Sequence, residues 1–223
     1  CLRALVSIAL IVGVVLVRRQ LNDLRVNQHR VHLIRGLLQV GSMFLFISAL
    51  RALPLVDVMT LVYIGPIIIT AMAPTMLGER VGWHRWSAVI LGFIGVIVML
   101  KPTGEGLQWA TMLPVAAAFF GATRDVITRR MSAGDTSSGI LFYTSCIVAL
   151  ASLTTLPFGW QVPSWQDAGL IGLAGVIVAT SLFLMIEALR FAQASTVSPF
   201  RYVSLIWAGL LGFLVFGEIP DNW

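Results

Sequence analysis

The chain has 223 residues, 58% of them hydrophobic and 11% charged, whereas a soluble domain is roughly half apolar and about a quarter charged. Its net charge of +5 comes from fourteen arginines and one lysine. These cluster between apolar blocks, a pattern of membrane orientation rather than nucleic-acid binding.

The apolar residues fall into eight blocks of about the length a helix needs to cross a bilayer. Lipid offers no partner to the backbone, so a spanning segment is a helix or a barrel strand. Barrel strands are about ten residues long and alternate. These blocks are longer and apolar all round, which predicts helices over 2–17, 33–53, 55–77, 84–100, 107–127, 139–158, 168–189 and 196–216.

The connection after 2–17 carries Arg18, Arg19, Arg25 and Arg30, with Arg35 just beyond it. Taken as cytoplasmic, it also puts Arg80, Arg85, Arg124, Arg129, Arg130 and Arg190 inside, against Arg3, Arg51 and Lys101 outside. The division between 33–53 and 55–77 rests on Pro54, which disfavours helix in the residue before it. Trp109, Trp160, Trp165 and Trp223 sit near outer ends of spans and Trp83 and Trp86 near an inner one, as interfacial anchors do. His29, His32 and His84 at cytoplasmic ends read as headgroup-level polar residues. Cys1 and Cys146 fit neither a metal site nor a disulfide framework.

The chain also repeats itself. At an offset of 139, residues 36–79 align without a gap on 175–218, with thirteen identities in forty-four pairs. Ala49-Leu-Arg51 meets Ala188-Leu-Arg190, Tyr63 meets Tyr202, and Gly78-Glu79 meets Gly217-Glu218. The first copy of 33–53 runs outward and its partner 168–189 runs inward, so the repeats are inverted, with five helices per unit. Eight spans then predict a fragment that lacks the first and tenth helices, with copies at 1–100 and 107–223.

No metalloprotease, nucleophile-elbow or phosphate-loop motif is present, which argues against an enzyme and against a metal or other cofactor. Ionisable residues inside spans are more informative, because hydrocarbon penalises them. Arg35 is one turn into its helix and reads as snorkelling to the interface. Asp57 near the start of 55–77 is a helix-start carboxylate or a functional one. Glu187 replaces Ser48 of the first copy; it pairs with Arg190 on the helix surface or carries a proton. Arg201 replaces Val62; it snorkels or faces a cavity, where it suits an anionic group. Tyr63 and Tyr202 line a wet pocket or pack between helices. Pro66, mid-span, favours an interrupted helix of the kind found at transporter sites, whereas Pro199 also suits a first turn. The paired Gly-Glu motifs read as helix ends with an interfacial carboxylate. Glycines at Gly92, Gly95, Gly169, Gly172, Gly175, Gly209 and Gly212 read as helix packing.

Taken together, Ala49-Leu-Arg51 before a span closing in Gly78-Glu79-Arg80, Gly92-Phe-Ile-Gly-Val-Ile-Val-Met99, and Ala188-Leu-Arg190 with residues 194–202 before a span closing in Gly217-Glu218 resemble the EamA-like transporters of the drug/metabolite transporter superfamily. The resemblance covers essentially the whole chain. It implies an all-α polytopic membrane protein of two inverted five-helix repeats that moves small metabolites across the cytoplasmic (inner) membrane. It also implies that 33–53, 55–77, 168–189 and 196–216 line the path.

The expected function is secondary transport of a small polar or zwitterionic solute by alternating access, with export first and import of a vitamin or nucleotide-like metabolite second. A non-transporting assembly protein is the remaining class. The expected substrate-binding residues are Tyr63, Arg201, Tyr202, Glu187 and Asp57. The expected partners are the lipid bilayer, the solute and protons as coupling ion, with a homodimer left open and no nucleic acid.

Overall fold

The computed structural model describes residues 2–17, 19, 24, 26–100, 109–132, 134–154, 164–211 and 214. Arg18, Arg25, Lys101, Trp160, Trp223, Gly212 and the second Gly-Glu pair lie outside them. The described residues are helical throughout, joined by turns and short connections, with no strand among them. In chain order the helices are α1 (Leu2–Val17), α2 (His29–Ala52), α3 (Leu55–Val62), α4 (Gly65–Leu77), α5 (Trp83–Leu100), α6 (Met112–Met131), α7 (Ser137–Leu153), α8 (Trp165–Phe191), α9 (Ala194–Val197) and α10 (Val203–Leu211).

Each predicted span has a helical counterpart, but two are broken. The span 55–77 divides into α3 and α4 at Tyr63 and Ile64. The span 196–216 begins as α9, passes through a tighter 3-10 turn (Ser198–Tyr202) and resumes as α10. The 139-residue offset holds in the structure. Ala52 and Phe191 end matched helices, and Leu55 and Ala194 begin the next pair.

Among the described residues, His29–Ala52, Leu55–Leu77, Trp109–Met131 and Trp165–Phe191 are long and apolar enough to cross a membrane. Their outward faces carry large apolar side chains such as Leu37, Met76, Leu170 and Leu173, all exposed. Such a surface is a liability in water and the expected solvent-facing surface in lipid. Trp83, Trp109 and Trp165 are exposed as well.

The chain forms two compact units, Cys1–Phe44 with Thr123–Gln193, and Leu45–Ala122 with Ala194–Trp223. Each takes residues from both sequence copies. In the first unit α1 packs on α7 and α8 around Ile11, Val15, Met131, Ile140, Leu141 and Ile186. Matched glycines permit close approach. A Cβ at Gly36 would overlap the Ile147 side chain, and one at Gly175 would lie 2.9 Å from Val6 Cγ1. Thr136 caps α7 by accepting from the Gly139 N–H at 3.1 Å. Ser164 caps α8 by accepting from the Asp167 N–H at 3.2 Å. The far end of α8 is closed by Arg129, whose guanidinium donates to the carbonyls of Leu189 at 2.9 Å and Arg190 at 2.8 Å.

In the second unit, α4 packs on α5, α9 and the 3-10 turn, and α5 packs on that turn. Val96, Tyr202 and Leu205 form its apolar centre with Tyr63 and Phe93 against them. Gly78 ends α4 with φ 67°, where a side chain is disfavoured, and the Glu79 N–H returns to the Ala73 carbonyl at 3.3 Å.

Three expectations from sequence are corrected. His32 is buried and meets Asp135 Oδ2 at 2.9 Å instead of lying at headgroup level. Arg35 does not snorkel; it is only 4% exposed and bonded to hydroxyls of α6 and α7. Glu79 is not interfacial; it is 8% exposed and turned into its unit.

Candidate functional site

The broken helices of the second unit have a local cause. Pro66 has no N–H to give to the carbonyl one turn back. The Ile64 N–H bonds to the Leu61 carbonyl at 3.2 Å and the Ile67 N–H to the Ile64 carbonyl at 3.0 Å, both closer in sequence than α spacing. That shift releases the Tyr63 carbonyl, and the Tyr202 hydroxyl donates to it at 3.2 Å. The two rings lie 6.1 Å apart at 35°, within the range of an aromatic pair. The Tyr63 hydroxyl shares a 2.8 Å hydrogen bond with Ser204 Oγ, and Ser204 Oγ donates to the Arg201 carbonyl at 2.6 Å.

The two tyrosines have different environments. Tyr202 is buried, with its ring against Gly92, where an added Cβ would overlap it. Tyr63 is half-buried and Ser204 is exposed. The more exposed side of this contact is therefore the Tyr63–Ser204 hydroxyl pair, with Tyr202 buried behind it.

Beneath this break runs a polar chain. The Glu79 carboxylate accepts from the N–H groups of Ala194 at 2.9 Å and Ser195 at 3.2 Å, and from Ser195 Oγ at 2.7 Å. It thus satisfies two of the unpaired donors that begin α9. Arg85 donates to Ser195 Oγ at 2.8 Å. Ser198 Oγ lies 3.2 Å from Thr70 Oγ1, which donates to the Pro66 carbonyl at 2.8 Å.

The remaining residues expected from sequence are dispersed. Arg201 is half-buried in the 3-10 turn beside Tyr202, and Asp57 is half-buried in the first turn of α3. Both belong to the second unit. Glu187 belongs to the first unit and pairs with Arg190 at 3.9 Å on the surface of α8.

The first unit holds a polar cluster that reading the sequence missed. The Arg35 guanidinium donates from Nε to Thr128 Oγ1 at 2.7 Å and from Nη1 to Thr144 Oγ1. Next to it, Arg124 pairs with Asp125 at 2.6 Å and donates to Gln39 Oε1. Beyond lies the His32–Asp135 pair, with Asp135 Oδ1 also accepting from the Asn27 N–H at 2.9 Å. The available signal was weak: an arginine and a glutamine one turn apart on α2, in a mostly apolar span.

Apolar helices with matched interruptions that meet at a repeat-related pair are an architecture of multi-pass membrane transporters. The sequence pattern of the EamA-like transporter family matches residues 1–101 and 108–223, and the chain belongs to that family. It is 27% identical over 201 residues to the S-adenosylmethionine uptake transporter of Rickettsia bellii (strain RML369-C), covering 90% of this chain and 69% of that protein. It is 33% identical over 202 residues to the riboflavin transporter of Vibrio cholerae serotype O1, covering 90% and 68%. It is 24% identical over 194 residues to the pseudopaline exporter of Pseudomonas aeruginosa (strain UCBPP-PA14), covering 85% and 67%. A solved crystal structure shares the fold, with TM-score 0.84 at 20% identity, covering 99% of this chain and 79% of that one.

Proposed function

We propose that the protein is a secondary transporter of the inner membrane that takes up a small metabolite with a planar body and a polar or zwitterionic head. The observation that carries this reading is the Tyr63–Tyr202 contact at matched helix breaks, beside which Tyr63 is half-buried and its hydroxyl partner Ser204 is exposed. An aromatic ring beside hydroxyls suits a flat heterocycle, held by its face and its polar rim. Uptake is supported by the S-adenosylmethionine transporter, whose named substrate joins a nucleoside to an amino acid, and the choice of a vitamin-like solute by the riboflavin transporter.

In this reading Arg201 attracts an anionic group of the solute, Asp57 faces its cationic part, and Glu187 carries the coupling proton. Export of a zwitterionic metabolite is the second reading, favoured by the likeness to the pseudopaline exporter.

The test is uptake of labelled S-adenosylmethionine and riboflavin into proteoliposomes containing the full-length protein. Saturable uptake of either solute that falls at least tenfold in Tyr63→Ala supports the reading; about tenfold corresponds to 1.4 kcal/mol of binding. Saturable efflux without uptake favours the second reading. Unchanged transport in Arg201→Ala removes that residue from the site, and transport indifferent to a pH gradient removes the proton.

A further inference from the structure

The cleft around Arg35 lies entirely within the first unit, between α1, α2, α7 and α8, and has a volume of about 50 Å³. Ser7, Arg35, Gln39, Thr144 and Ser145 supply its polar wall. A guanidinium has five N–H donors, and those of Arg35 meet two protein acceptors, Thr128 and Thr144. Both hydroxyls use their own proton on a backbone carbonyl one turn back, at Arg124 and Ile140. Arg35 takes part in none of the ion pairs among the described residues. Its neighbour Arg124 is the arginine that pairs with Asp125, at 2.6 Å. The bond from Arg124 ties up the Gln39 oxygen, which leaves the Gln39 amide N–H groups for the cleft.

A buried cation with spare donors calls for an acceptor that carries charge. We propose that this cleft binds the carboxylate of a small solute, with Arg35 as the charge partner and Gln39 and Ser145 as further donors. The cleft volume admits a carboxylate group rather than a whole metabolite. The rest of the wall is apolar, formed by Ala4, Leu141, Val148, Val178 and Leu182. The ligand class is thus a carboxylate attached to an apolar body. This assignment rests on the transport reading only for the origin of the ligand.

Binding is measured as a shift of the thermal unfolding midpoint of the full-length protein, at constant ionic strength, with benzoate against benzamide. Benzoate is expected to raise the midpoint saturably and benzamide to leave it unmoved. Arg35→Met is expected to abolish the benzoate shift, and Thr144→Val to weaken benzoate affinity by about tenfold. Equal shifts with both probes, no shift with benzoate, or a benzoate shift retained in Arg35→Met would overturn the proposal. Where Arg35→Met does not fold, unchanged benzoate affinity in Thr144→Val overturns it. Oleate separates the sources: stabilisation by oleate without benzoate assigns the cleft to lipid and overturns a solute site. Benzoate binding without solute uptake by any route fails the transport reading alone. Saturable uptake without benzoate binding fails this proposal alone.

Discussion

The Tyr202 hydroxyl donates to the Tyr63 carbonyl at 3.2 Å, and the two residues occupy the same position in the two sequence copies. One copy therefore repairs the helix break of the other. The carbonyl is free because Pro66 and the tightened Ile64–Ile67 turn take away its regular partners.

Tyr202→Phe removes that hydroxyl while keeping the ring. It is expected to lower stability by about 1 kcal/mol, the usual worth of a partly buried hydrogen bond. Tyr63→Phe loses only the more exposed bond to Ser204 and is expected to cost less. Thermal unfolding of both variants in the same detergent checks the order, and a larger loss in Tyr63→Phe would contradict it.

Glu79 accepts two backbone N–H groups and one hydroxyl at the start of α9. Glu79→Ala leaves those buried donors unpaired and is expected to cost about 3 kcal/mol. Glu79→Gln keeps the shape but turns an amide N–H toward other donors, for a loss of roughly half that. Its neighbour Arg80 is exposed, and Arg80→Ala is expected to change stability by less than about 0.5 kcal/mol. Folding midpoints of the three variants test the ranking.

Gly92 and Gly95 give opposite outcomes on one helix. A Cβ at Gly92 overlaps the Tyr202 ring, whereas Gly95 has open space. Gly92→Ala is expected to destabilise by about 1–3 kcal/mol through overpacking. Gly95→Ala is expected to be neutral or to stabilise by up to about 1 kcal/mol through helix propensity. Because Gly92 abuts the tyrosine pair, its alanine variant is also expected to slow solute uptake, which the proteoliposome assay reads.

The glycines of the first unit make a matching pair. Gly36→Ala meets Ile147 and Gly175→Ala meets Val6, while Gly172 has open space. Each of the first two is expected to destabilise, Gly36→Ala the more, by about 1–3 kcal/mol. Gly172→Ala serves as the control. Equal midpoints for all three would mean that these helices do not approach as closely as the structure has them.

The spans were readable because lipid imposes a length and an apolar surface on every crossing helix, which composition alone registers. The meeting of Tyr63 and Tyr202 was partly readable, since the repeat pairs them and Pro66 marks a break. Arg35 was not. An arginine one turn into a helix looks like one reaching for the interface, and its burial depends on Thr128 and Thr144, 93 and 109 residues away. Glu79 misled in the same way. Its acceptors' partners at Ala194 and Ser195 lie 115 and 116 residues on, and no local pattern points to them.

The mixed composition of the two units has an evolutionary consequence. The first joins α1 and most of α2 to their counterparts α7 and α8, and the second joins α3 and α4 to α9 and α10. A polypeptide with one copy would own half of each core and could complete neither without a second chain. Fusion replaces that encounter with a tethered one, so assembly no longer depends on protein concentration. It also frees the halves to diverge: an exchange such as Val62 for Arg201 or Ser48 for Glu187 puts a charge on one side only, which a pair of identical chains cannot do.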